Sequence, residues 1–116
     1  KNKPLTVYGD GLQTRSFCFV EDLVDGLIKL MESSYKRPVN LGNPDEYNML
    51  EFAKLVKGKI SSESEIVFHD LPVDDPKKRC PDISIAKKEL DWYPKIALDE
   101  GIEKTIGWYR RVLLDE

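Results

Sequence analysis

The spacing of apolar and polar positions along this 116-residue chain changes several times, and each change marks an element. Leu5-Thr6-Val7-Tyr8 is short and β-prone, and Gly9-Asp10-Gly11 closes it, which predicts a strand running into a glycine-rich turn. Residues 16–20 are apolar enough to be extended as well. From Glu21 the spacing becomes helical: Leu23, Leu27 and Leu30, flanked by Val24, Ile28 and Met31, make one apolar stripe that should stop near Ser33-Ser34. Glu21 and Asp22 fall in its first turn, where the helix dipole favours acids.

Pro38-Val39-Asn40-Leu41-Gly42 reads as a second strand, ended by Gly42-Asn43-Pro44. Asn48 followed three residues later by Glu51 has the form of a capping box, and Leu50, Phe52, Ala53, Leu55 and Val56 continue an amphipathic helix to Gly58. Glu65-Ile66-Val67-Phe68-His69 is the third strand candidate. Residues 70–82, rich in Pro and charge, read as an exposed loop. A short helix is expected from Ile83 to Trp92. Asp99-Glu100 opens the last helix, with Ile102, Ile106, Tyr109 and Leu113 marking its buried side. The order strand, helix, strand, helix, strand, helix, helix predicts an α/β fold of short strands with about four helices. Trp92, Tyr93, Trp108 and Tyr109 occupy helix positions that suit core packing.

Length predicts one domain, 1–116. Eighteen Lys+Arg against 21 Asp+Glu leave a net charge of -3, with 41% hydrophobic residues, so a packed core is possible and no overall positive field invites nucleic acid. No apolar run approaches the ~18 residues that would cross a bilayer, so no membrane contact is expected of this segment. Cys18 and Cys80 form no Cys-x-x-Cys and there is one histidine, His69, so neither a zinc site nor a dithiol centre is supported. Both thiols are expected to be packing residues in a reduced compartment. Asp70, Asp74 and Asp75 read as solvated acids and not as metal ligands. Lys1 directly precedes a strand without a start-like leader, which suggests the C-terminal portion of a longer chain.

Two places concentrate chemistry. Gly9-Asp10-Gly11-Leu12-Gln13-Thr14 follows a strand as a dinucleotide fingerprint would, but Thr14 stands at the third glycine and an extended stretch follows in place of a helix. Glycine for positive φ accounts for the turn; Arg15 just beyond it suits bidentate phosphate recognition. The second place is Asp74-Asp75-Pro76-Lys77-Lys78-Arg79-Cys80-Pro81-Asp82, either a solvated loop or a stiffened one presenting Arg79 to a phosphate and Asp82 to ribose hydroxyls. A charge-assisted hydrogen bond contributes roughly 1.5–3 kcal/mol, so two arginines on one diphosphate would supply much of the ~8 kcal/mol of micromolar binding. No tyrosine has a lysine four positions on: Tyr8, Tyr35, Tyr47, Tyr93 and Tyr109 are followed there by Leu12, Val39, Glu51, Ala97 and Leu113.

Read in order, Pro4 to Phe17 with its Tyr-Gly-Asp-Gly turn and Arg15, Phe19-Val20-Glu21-Asp22-Leu23-Val24, Val39-Asn40-Leu41-Gly42-Asn43-Pro44, and Asp74-Asp75-Pro76-Lys77-Lys78-Arg79 with Pro81-Asp82-Ile83 resemble the C-terminal part of UDP-glucuronate decarboxylases, or UDP-xylose synthases. These belong to the extended short-chain dehydrogenase/reductase superfamily. The resemblance implies a substrate-binding region whose Rossmann domain, with its NAD and Tyr-x-x-x-Lys pair, lies outside this chain. The implied reaction oxidises the sugar at C4, loses CO2 from C5 and returns the hydride to give UDP-xylose. Dehydratases or epimerases of the superfamily, and a non-catalytic binding module for the isolated segment, are the alternatives.

The same resemblance implies site roles. Arg15 and Arg79 match arginines on the UDP diphosphate, Asp82 an acid near the ribose, Tyr8 and Gln13 the nucleotide pocket, and Val7 a backbone contact to uracil. Cys80 and Cys18 stand where the family more commonly has Lys and Gln. A homodimer formed through the Rossmann domain is implied, with a cytoplasmic location, or the Golgi lumen if an upstream anchor exists.

Overall fold

The computed structural model describes residues 3–114, with eight elements: β1 (Leu5–Tyr8), β2 (Thr14–Ser16), α1 (Val20–Glu32), β3 (Glu46–Asn48), α2 (Met49–Lys59), β4 (Ile66–His69), α3 (Ser84–Leu90) and α4 (Leu98–Leu114). They divide into two compact units, each built from two stretches of chain: Lys1–Arg15 with Glu46–Arg79, and Ser16–Asp45 with Cys80–Glu116. The α/β class with four helices and short strands is as expected.

In the first unit β1 and β4 form a parallel pair in the register Leu5↔Ile66 to Tyr8↔His69, bracketed by bonds from the Leu5 amide to the Glu65 carbonyl (2.8 Å) and the Gly9 amide to the His69 carbonyl (2.6 Å). β2 pairs with β3 in a separate two-stranded ladder. The glycine turn between β1 and β2 needs its glycines: Gly9 and Gly11 have φ of 61° and 76°, and a Cβ on Gly11 would lie 2.9 Å from both Val7 Cγ1 and Leu50 Cβ. Asp10 Oδ1 accepts the Leu12 amide at 2.9 Å, fixing the bend. α2 starts on the expected capping box, in which Asn48 Oδ1 accepts the Glu51 amide (2.7 Å) and Glu51 Oε2 accepts the Asn48 amide (3.4 Å).

The second unit holds the denser core. Ile83, Ala86, Leu90 and Trp92 cluster, with Cys18, Leu30, Val39 and Leu41 against them. Trp92 is 1% exposed; its indole N–H donates to the Asp22 carbonyl at 2.9 Å, and the Asp22 carboxylate accepts the Ile96 amide at 2.8 Å. Both ends of Asp22 are therefore used to tie α1 to the segment after α3. Gly26, one turn on, makes room: its Cβ position lies 3.0 Å from the Leu41 methyls and 3.1 Å from Trp92 Cε2. The core thus selects the α1 face carrying Asp22 and Gly26, because a flat indole needs a shallow groove. Leu23 and Leu30 are half-buried, while Leu27, Val24, Ile28 and Met31 of the expected stripe are exposed.

Several expectations are corrected here. Residues 38–42 form no strand: Pro81 lies against Gly42, and the Asn40 side chain donates to the Asp82 carbonyl (3.3 Å), so Val39 and Leu41 reach the core from an irregular segment. β3 is a strand that the sequence did not suggest, paired through polar residues. On α4, Leu98 and Ile102 are buried and Ile106 half-buried, but Tyr109 and Leu113 are exposed because a 17-residue helix, about 25 Å long, outruns the apolar surface of its unit. Tyr93 and Trp108 are likewise half exposed, leaving Trp92 as the core aromatic of the four. Cys80 is exposed and Cys18 half-buried, so packing describes Cys18 alone. No helix among the described residues is long and apolar enough to cross a membrane.

Candidate functional site

Five of the six residues singled out above fall in the first unit, namely Val7, Tyr8, Gln13, Arg15 and Arg79; Asp82 falls in the second. Val7 is the buried centre of β1, 5% exposed. In a parallel ladder alternate residues turn their backbone groups to one partner, and since Leu5 and Gly9 bond β4, Val7 faces it too. Tyr8 exposes half its side chain, and its carbonyl accepts both the Gly11 amide (3.2 Å) and Gln13 Nε2 (3.0 Å). Gln13, 7% exposed, therefore locks the glycine turn against the strand end.

Arg15 stands mid-strand in β2. Its guanidinium donates one η nitrogen to the Thr14 carbonyl (2.6 Å) and the other to Asp75 Oδ1 (2.7 Å). Thr14 itself connects to the charged loop and to β3: its amide donates to the Lys77 carbonyl (2.8 Å), its hydroxyl to Glu46 (3.0 Å), and Glu46 in turn faces the Lys78 ammonium at 3.7 Å. The loop that reads as free surface is thus fastened along β2. Arg79, exposed, follows Lys77 by two residues, so its backbone lies within about 7 Å of the point where the loop bonds the residue before Arg15.

Asp82 has a local task in its own unit. Its carboxylate accepts the Ser84 amide at 2.9 Å at the start of α3, and this backbone bond, followed by the Ser84 hydroxyl, lowers its pKa below the usual carboxylate range. Cys80, beside it, donates its thiol to the Pro44 carbonyl (3.2 Å). Asp75 is the residue that reading the chain did not find. Its partner is 60 positions away, and only the Asp75-Pro76 pair, which stiffens the backbone at the acid, hinted at it.

A family model described as GDP-mannose 4,6 dehydratase matches residues 1–105. The chain belongs to that family. The extended short-chain dehydrogenase/reductase superfamily implied by its motifs therefore stands, and its relatives narrow the comparison. UDP-glucuronic acid decarboxylase 1 of Arabidopsis thaliana is 51% identical over the whole chain, and the protein of the same name from Danio rerio is 50% identical over 97% of it. The chain spans about a quarter (27%) of the length of each. Among solved structures, UDP-glucose 4-epimerase of Thermotoga maritima with UDP-glucose matches with a TM-score of 0.91 at 28% identity, over 97% of this chain and 36% of that one. UDP-glucuronic acid 4-epimerase of Bacillus cereus, solved with UDP-glucuronic acid and NAD, matches with a TM-score of 0.86 at 25% identity, over 96% and 36%.

The family's nicotinamide cofactor does not fit the residues of this chain. A dinucleotide needs a glycine turn opening onto a helix N-terminus, whereas Gly11 leads through Gln13 into β2.

Proposed function

We propose that the protein carrying this chain is an NAD-dependent UDP-glucuronate decarboxylase, and that residues 1–116 are its C-terminal nucleotide-sugar-binding region. The observation that carries the reading is the Thr14–Lys77 bond, which lays the Arg79 loop beside Arg15 within one unit, in a chain half identical to decarboxylases. Arg15, its plane fixed by two bonds, and Arg79, exposed at the loop end, are the donors for the diphosphate; each charge-assisted bond contributes about 1.5–3 kcal/mol. Tyr8 and Gln13 shape the nucleotide side, Val7 is assigned a backbone contact to uracil, and Asp82 is assigned to the ribose. NAD, bound by other parts of the protein, would supply the oxidation that the decarboxylation needs. This chain holds the sugar nucleotide while that happens.

The test is an assay of the full-length protein with UDP-glucuronate and NAD. UDP-xylose and CO2 are the expected products, and Arg79→Ala raises the dissociation constant for UDP by about 10- to 100-fold. A product that keeps its carboxylate overturns the decarboxylase and favours the second reading, a 4-epimerase, to which the structural similarity lends weight. The 116 residues by themselves are expected to turn nothing over, since binding without a reacting centre accelerates no chemistry.

A further inference from the structure

We propose that Asp75 is the positioning residue of the diphosphate grip: it holds Arg15 in the orientation in which the guanidinium meets the anion, an inference that rests on the reading above. An arginine carries a long, rotamer-rich side chain, and an exposed one samples many directions. Arg15 is held at two nitrogens, by Thr14 on its own strand and by Asp75 across the loop, with 20% of its side chain and 27% of that of Asp75 exposed. The contact is monodentate on the acid side, so the Nε–H and the remaining η hydrogens take no part in these two bonds.

Asp75 is itself mounted rigidly. Its amide donates to the Pro72 carbonyl at 3.1 Å, closing a turn behind it, and Pro76 ahead disfavours the helical backbone region at Asp75. The two residues after Pro76 are also tied down, the Lys77 carbonyl by the Thr14 amide and the Lys78 ammonium by Glu46, which in turn accepts the Thr14 hydroxyl. A carboxylate fixed this way acts as an anchor and not as a mobile counter-ion. Its charge works against binding of an anion by Arg15, while its geometry works for it, and the two effects separate by substitution.

In the full-length protein, UDP affinity by calorimetry and KM and kcat for UDP-glucuronate are measured for Asp75→Ala, Asp75→Asn and Asp75→Glu, alone and with Arg15→Ala. Asp75→Ala frees one long side chain and is expected to weaken UDP binding and raise KM by about 3- to 10-fold with kcat within about twofold. Asp75→Asn keeps an acceptor of the same shape and removes the charge, so UDP binds as in the parent or more tightly. Asp75→Glu restores most of the loss. In the Arg15→Ala background Asp75→Ala has no further effect, because there is nothing left to position. Tighter binding by Asp75→Ala would show Asp75 to be a competitor of the diphosphate and would overturn the proposal, as would an equal further loss without Arg15, which marks a general structural role. Unchanged UDP affinity in Arg15→Ala alone sinks the diphosphate reading itself, and it is recognised without reference to Asp75.

Discussion

The two units of the chain are built by different means. The second is held by burial: Trp92 is sealed among Ile83, Ala86 and Leu90, and a buried aspartate ties two segments at once. In the first, the buried side chains are few, Val7, Gln13 and Ser64, and directional contacts do the holding: the glycine turn, the capping box, and the Thr14, Arg15, Glu46, Asp75 and Lys78 contacts along β2. Apolar burial tolerates small shifts, whereas hydrogen bonds to charged groups fix angles. The unit that, on the proposed reading, aims two guanidinium groups is the one assembled from directional bonds. What it has less of is apolar burial.

The comparison breaks first, if at all, at Trp92. Trp92→Ala should cost about 3–5 kcal/mol through the cavity it leaves and the orphaned Asp22 carbonyl. Segment-resolved hydrogen exchange of the full-length protein should show protection lost in residues 16–45 and 80–113 before residues 3–15 and 46–79. Equal loss in both stretches would mean that the units melt as one body. Gly11→Ala probes the other side. A methyl forced to φ 76° and to 2.9 Å from Val7 and Leu50 should cost about 1–3 kcal/mol, lowering protection in the first unit and UDP affinity together while the α3 region is spared.

The smallest effect sharpens the picture within the second unit. Burial, and next the Asp22 carboxylate, push the Cys18 thiol above its ordinary pKa, whereas Cys80 is exposed. Alkylation followed by mass spectrometry should therefore label Cys80 well before Cys18. A raised pKa in the folded state means that stability is intact below the unfolded thiol's pKa and declines as pH climbs through the folded value. Cys18→Ser should flatten that alkaline decline.

Reading the chain found what is local and missed what is distant. The capping box at Asn48, the glycine turn and the existence of β1 and β4 were legible because each is set by neighbours within a few positions, whereas the parallel pairing of those two strands was not. The Arg15–Asp75 pair spans 60 positions, and β3 is a polar triplet whose partner strand is equally polar, so neither leaves a periodic trace. The α1 stripe misled for a third reason: apolar spacing identifies a helix, but which face the core takes depends on the shape of what packs there, and Trp92 took the side with Gly26. Arg15 and Arg79 were visible as residue types, yet the bond between Thr14 and Lys77 that brings their segments together was not.

The chain changes unit at three places, after Arg15, after Asp45 and after Arg79. Gene recombination with a single breakpoint can therefore never exchange one unit without part of the other. A chimera that takes the first unit alone from a relative must splice in two separate stretches at once, and a lineage altering that unit by crossover faces the same demand, which leaves substitution as the easier route.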